Sequence, residues 1–215
     1  MATPEVAAAD PAASPPGVVD AGADRRTRNH ERRRDRVYTA AVELFVADGF
    51  DNTTMDDISE RADVARATVF NHFQRKTAFL DEWSLRRRQR AFAAVQAEHL
   101  EDHSIGEILQ RYMVELARVS SGSRRETVAM MSASLHSTNV LAHPSLGHEL
   151  ARFVSRSQAS GEVVPSVEPE LAGLLLATGY FATLAQWIEV EPAPFDLRQQ
   201  LLRMLEIILS GLLSG

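Results

Sequence analysis

Apolar residues recur at helical spacing along most of the chain. Val37, Ala41, Leu44 and Phe45 stand at i, i+4, i+7 and i+8, one face of an amphipathic helix that the "DGF" of residues 48–50 ends. Thr54 is a good N-cap for the next element, with Asp56 and Asp57 placed to meet the positive end of a helix dipole. Ile58 and Ala62 share a face, which predicts a second helix of about eight residues. After Asp63 and Val64 the pattern resumes, with Val69 and Phe73 four positions apart. Two short helices joined by a turn of about three residues have the spacing of a helix-turn-helix unit. A longer helix follows over Thr77–His99, carrying Leu80, Trp83, Leu85, Phe92 and Val95.

The remainder predicts helices over Ser104–Val119, Arg124–Asn139, Ser145–Gln158, Glu168–Glu189 and Asp196–Leu213, broken by "SSGS", "AHP", "SGEVVPSV" and "EPAP". No stretch alternates apolar and polar residues as a strand would, so the expected fold class is all-α. The last two helices are apolar around most of their circumference, where a surface helix would leave half of it polar. A second buried face predicts a homodimer formed through these two helices; the alternative is a monomer with both at its centre.

Composition narrows the class. The chain has 215 residues, 45% of them apolar, enough for one large or two small cores. Residues 1–24 are rich in Ala and Pro without an apolar stripe and are expected to be disordered. Cysteine is absent, which excludes disulfides, thiolate metal sites and a cysteine nucleophile. There is no uninterrupted apolar run of about 18 residues and no basic, apolar leader, so the expectation is a cytoplasmic protein without a membrane partner.

The net charge of −6 is unevenly placed. Residues 1–24 carry −4, residues 25–90 carry +4 and residues 91–215 carry −6. Seven arginines fall within residues 25–36, "RRTRNHERRRDR". One region is therefore suited to a polyanion, while a solvated helical face accounts for the same charges more blandly.

On a wheel of about 100° per residue, Ala67, Thr68 and Asn71 fall on one arc, away from Val69 and Phe73. Small residues let a backbone approach base edges; Asn pairs bidentately with adenine, and the Ala and Thr methyls suit a thymine methyl. Arg66 has the length to reach guanine. His72, Lys76 and Thr54 fit phosphate contacts better, the last two standing at helix starts where N–H groups favour an anion. For His72, a half-buried structural role is the plainer reading.

Residues 36–80, with "AAVELF…GF", "TTMDDISERA" and the Val64–Lys76 stretch "VARATVFNHFQRK", resemble the DNA-binding domain of the TetR family of transcriptional regulators. The resemblance implies a phosphate contact by Thr54, a groove-facing set of Arg66, Ala67, Thr68 and Asn71, and backbone contacts by Phe70, His72 and Lys76. Phe70 stands where the family usually has Tyr, Asp63 where it has a turn Gly, and Ala65 where it commonly has Ser. Asp63 is expected to adopt a left-handed conformation at a cost of roughly 1 kcal/mol relative to Gly, and to supply the missing N-cap. The arginines of 25–36 would act either as an arm along DNA or its minor groove, or as a charged extension of the first helix.

The rest of the chain resembles that family's ligand-binding and dimerisation domain in pattern alone. Phe92, Tyr112, Met113, Met130, Met131, Phe153, Tyr180 and Trp187 are the candidate lining of a pocket for a small-molecule effector, a list in which ordinary core residues predominate. His99 and His103 beside Glu98 and Asp102 lack an assured common face, so no metal is expected, nor any cofactor. Phosphate loops and hydrolase or metalloprotease motifs are absent from the sequence, and no enzymatic activity is expected. The resulting division is a 1–24 tail, a 25–80 DNA-binding domain with its basic arm, and an 81–215 ligand-binding and dimerisation domain. The expected function is repression from a palindromic operator, relieved by a ligand; the alternative is a helical ligand- or protein-binding dimer with weak DNA contact.

Overall fold

Helix follows helix in the computed structural model, which describes residues 21–98, 103–137 and 145–213. Among these residues there are nine helices and no strand: α1 Ala21–Ala47, α2 Met55–Arg61, α3 Arg66–His72, α4 Thr77–Ala97, α5 Ile105–Gly122, α6 Arg124–Ser137, α7 Ser145–Ala159, α8 Pro169–Ile188 and α9 Leu197–Leu213. The expected tail lies outside the described residues except for Ala21–Asp24, which form the first turn of α1. Ala and Arg are both strong helix formers, so the helical pattern reaches further back than the apolar stripe that revealed it. The segment holding His99 and Asp102 lies outside the described residues.

Residues 1–35 form one unit and residues 36–215 another. In the described part of the first, Arg25, Arg28, Arg32 and Arg33 are exposed on α1.

Within the second unit, Val37, Ala41 and Phe45 of α1, Ile58 of α2, Val69 of α3 and Phe73 form a buried cluster. Phe79 closes it, stacked on Phe73 at 4.0 Å and edge-on to Phe45 at 5.9 Å. Each such side chain contributes roughly 1.5–3 kcal/mol by leaving water. The expected domain boundary at 80/81 falls inside α4. Phe79 faces the N-terminal cluster, whereas Trp83, one turn on, donates its indole N–H to Glu126 of α6 at 2.8 Å. Leu85 departs from the expected stripe and is exposed.

The C-terminal helices pack α4 on α5 and α6, and α5 on α9, with α7 lying most extensively along α8. The last contact depends on glycine. A Cβ added at Gly173 would press into the Gly147 carbonyl and stand 2.7 Å from the Ala151 nitrogen. On α8, Leu176, Tyr180, Leu184 and Trp187 face inward, while Leu171, Leu174 and Leu175 form an exposed stripe at i, i+3 and i+4. By length and composition α8 could cross a membrane, although no uninterrupted apolar run marks it in the sequence; half of its apolar window is buried inside the protein. The other expected apolar helix, α9, is more polar outside: Arg203 and Glu206 are exposed beside Ile207.

Candidate nucleic-acid interface

Thr54 caps α2 through a reciprocal box. Its hydroxyl accepts the Asp57 N–H at 3.1 Å, while Asp57 Oδ2 accepts both the Thr54 N–H and the Thr54 hydroxyl at 2.8 Å. These donors, the backbone N–H foremost, hold the Asp57 carboxyl below its usual range. The hydroxyl expected on a phosphate is thus committed to the cap. Upstream, the loop from α1 is fixed by Thr53, whose hydroxyl donates to the Gly49 carbonyl at 2.8 Å, and by a left-handed Gly49 at φ +90°.

The turn between α2 and α3 is a Schellman motif. The Val64 N–H donates to the Ser59 carbonyl and the Asp63 N–H to the Glu60 carbonyl, with Asp63 left-handed at φ 48°. Asp63 takes the conformation expected of it, but it serves the end of α2. The N-cap of α3 is Ala65, which has no side-chain cap, so the expected capping by Asp63 does not occur. Arg36 Nη2 donates to the Asp63 carbonyl at 3.2 Å and ties the turn to α1.

Val69 is fully buried beneath α3, and this sets which face is left outside. Arg66, Ala67, Phe70 and Asn71 are exposed and Thr68 is half-buried, so the four groove candidates and Phe70 share an accessible helix. The Arg66 guanidinium stands 3.0 Å from Asp56 and 5.5 Å from the Phe70 ring centroid. An exposed pair of this kind contributes little, about 0–1 kcal/mol, and is readily exchanged for another acceptor. Phe70, lacking the hydroxyl of Tyr, serves here as a platform for Arg66. His72 is half-buried at the end of α3.

Lys76 is placed differently from the expectation. Its ammonium donates to the carbonyls of Phe50 at 2.5 Å, Thr53 at 3.0 Å and Asp51 at 3.4 Å, and lies 4.4 Å from the Phe50 ring centroid. An ammonium has three donors, and all three are used within the protein. Lys76 therefore pins the α1–α2 loop to the start of α4. Its neighbour Arg75, a donor to which the sequence assigned no contact, is largely exposed and 3.5 Å from Asp81.

The pocket candidates divide. Tyr112, Met113, Met130 and Met131 are fully buried core, and Tyr180 and Trp187 nearly so. Phe153 joins Phe92 at 6.2 Å and Tyr112 at 5.8 Å, while the Tyr112 hydroxyl donates to Glu149 at 2.8 Å, itself 3.3 Å from Arg88. Burial first, and then the Glu149 charge, push the Tyr112 phenol well above its usual pKa. Trp187 lies apart, beneath the Arg124 guanidinium.

With this geometry in view, comparison with known proteins is decisive for the N-terminal part. Residues 37–83 match the profile of the bacterial regulatory proteins of the tetR family. Through this segment above all, the chain is similar to the TetR family. Among its relatives, the transcriptional regulator UidR of Escherichia coli K12 is 26% identical over 163 residues, 74% of this chain and 82% of that protein. TcmR of Streptomyces glaucescens is 41% identical over 51 residues, 24% of this chain and 23% of that one. The structure of Thermus thermophilus FadR, a TetR-family repressor in complex with lauroyl-CoA, aligns with a TM-score of 0.69 at 26% identity, covering 84% of this chain and 95% of that one. With its N-terminal helix-turn-helix, the chain is accordingly a DNA-binding transcriptional regulator and not an enzyme.

Proposed function

We propose that the chain acts as a homodimeric repressor that reads a palindromic operator with α3 and releases it when a small molecule occupies the C-terminal helices. The observation that carries this reading is the outer face of α3, where Arg66, Ala67 and Asn71 are exposed while Val69 anchors the helix from below. Arg66 reads a guanine edge, Asn71 an adenine, and Ala67 and Thr68 a thymine methyl. The Asp56 carboxylate is exchanged for a base at little cost. His72 and Phe70 flank this face and meet the backbone, Arg75, largely exposed beside Asp81, adds a cation for phosphate, and the arginines of 25–36 strengthen long-range attraction as a helical extension.

The exposed stripe of Leu171, Leu174 and Leu175 on α8, with Ile207 on α9, is the surface through which two copies pair. Pairing sets the two copies of α3 about 34–36 Å apart, one helical turn of DNA. Because α4 shares side chains with both the N-terminal cluster and α6, a ligand that tilts it moves both recognition helices. Operator DNA then weakens ligand binding by the same factor. The ligand in FadR is an acyl-CoA; the half-buried Phe92 and Phe153 next to Arg88 and Glu149 are the place to seek an effector in this chain. As a regulator of bacterial type that acts on DNA, the protein works in the cytoplasm.

Selection of random duplexes by the purified protein, followed by sequencing, tests this directly. Two inverted half-sites about 10 base pairs apart, centre to centre, are the expected product. Failure to enrich any sequence at low salt overturns it.

A further inference from the structure

A cavity of about 310 Å³ lies where α1 meets α4, α5 and α6, away from Phe92, Tyr112 and Phe153. Arg87 stands in its wall. That side chain is 5% exposed, stacks over Trp83 at 4.3 Å, and has only neutral partners: Nη1 donates to the Thr127 hydroxyl at 3.3 Å and Nη2 to the Ser120 hydroxyl. Both hydroxyls spend their own hydrogens on backbone carbonyls, Ser120 on Leu116 and Thr127 on Ser120 and Ser123. They can therefore only accept. A guanidinium has five N–H groups, and two hydroxyls leave most of that capacity unused and place no carboxylate against the charge. A buried cation held by neutral acceptors bears a desolvation cost that a counter-ion would offset.

No carboxylate of the cavity wall is paired with Arg87. Glu43 is taken by Arg61 at 2.7 Å and Arg86 has its own Glu82 at 2.8 Å, while Glu126 accepts the neutral Trp83 indole at 2.8 Å and keeps its charge, one carboxylate against the two cations Arg87 and Arg90. Arg90, exposed at the rim, adds a second cation. Tyr38, Val42, Trp83 and Val119 supply apolar wall between these groups. The Tyr38 phenol, raised above its usual pKa by burial first and by Glu126 next, stays a neutral donor.

We propose that this cavity is a binding site for a small organic carboxylate, whose two oxygens pair with Arg87 and Arg90 and whose apolar body lies against Tyr38 and Trp83. A single negative charge fits better than phosphate, because Glu43 and Glu126 would oppose a dianion at close range. A guanidinium offers a carboxylate a matched fork. The wall is built from α1, which carries the N-terminal cluster, and from α4–α6, so occupancy would bear on the orientation of the DNA-reading helices. The site itself does not depend on the operator reading, and its test needs no DNA.

Titration calorimetry of the full-length protein with sodium benzoate, at constant ionic strength in chloride, is the experiment, with inorganic phosphate titrated in parallel. The expected result is saturable benzoate binding at one per chain, abolished in Arg87→Met and at least tenfold weaker in Arg90→Ala. Arg90 is exposed, so its variant decides the matter even where Arg87→Met fails to fold. Absence of saturable benzoate binding, phosphate binding in its place, or affinity unchanged in Arg90→Ala overturns the assignment; the last result would put benzoate in another pocket.

Discussion

The outer face of α3 and the seam between α1 and α4–α6 both present guanidinium groups, and they treat them in opposite ways. Arg66 keeps 64% of its side chain in water, beside an exposed carboxylate. Arg87 keeps 5% and rests on hydroxyls and an indole. The cost of desolvating Arg66 falls at the moment of binding, so it subtracts from affinity but leaves the fold untouched. That of Arg87 is met during folding, leaving an interior that gains from an incoming anion. A donor's role is decided by when its water is lost.

Lys76 tests where that line runs, since its sequence position suits DNA while its contacts are internal. Lys76→Ala leaves three loop carbonyls without their charged donor and should cost about 2–3 kcal/mol in urea denaturation. DNA affinity should fall alike for all sequences, through the loss of a set α1–α2 loop. Unchanged stability with weakened binding would return Lys76 to the phosphate-contacting group. Thr54→Ala removes one side of the α2 capping box, and a loss of about 1 kcal/mol is expected. A stability unaffected by that change, together with a reduced salt dependence of DNA binding, would show the hydroxyl on phosphate instead.

The smallest effect belongs to pH. Glu115, buried on α5, is held below its usual pKa chiefly by the hydrogen bond from Arg118 at 2.5 Å, with desolvation opposing and the charges of Arg118, Arg111 and Arg90 assisting. A depressed carboxyl stabilises the fold above its unfolded pKa and loses that contribution as pH falls through the folded value. Arg118 is largely exposed, so the contribution is small, under about 1 kcal/mol. Glu115→Gln should lower the melting temperature slightly at neutral pH, and the difference from wild type should shrink below about pH 4, near the ordinary Glu value. A difference that grows in acid would show that the Glu115 carboxylate destabilises the fold instead.

The helices and their order were legible because their signals are local: Thr54 and its acids, the glycine and proline breaks, and the 3.6-residue recurrence of Val37, Ala41 and Phe45. The left-handed Asp63 was legible for the same reason. Lys76 was not, because a lysine at a helix start suits phosphate and loop carbonyls equally. Only the fold brings Phe50 and Thr53, more than twenty residues earlier, within its reach. Met130 and Met131 were indistinguishable from pocket lining for a related reason: apolar character fixes burial and says nothing about whether space remains beside it. Arg87 carried no local mark at all, standing in "RRR" like its neighbours; its burial comes from α5 and α6 closing over α4.

The central claim is that α3 reads bases through donors that the fold itself does not need. Repeating the DNA selection with Arg66→Ala measures this most directly. The account predicts that one position in each half-site loses its base preference, worth about 1–3 kcal/mol of discrimination, while the unfolding midpoint stays within about 0.5 kcal/mol of wild type. An unchanged consensus, or a consensus lost together with the stability of the domain, would contradict it.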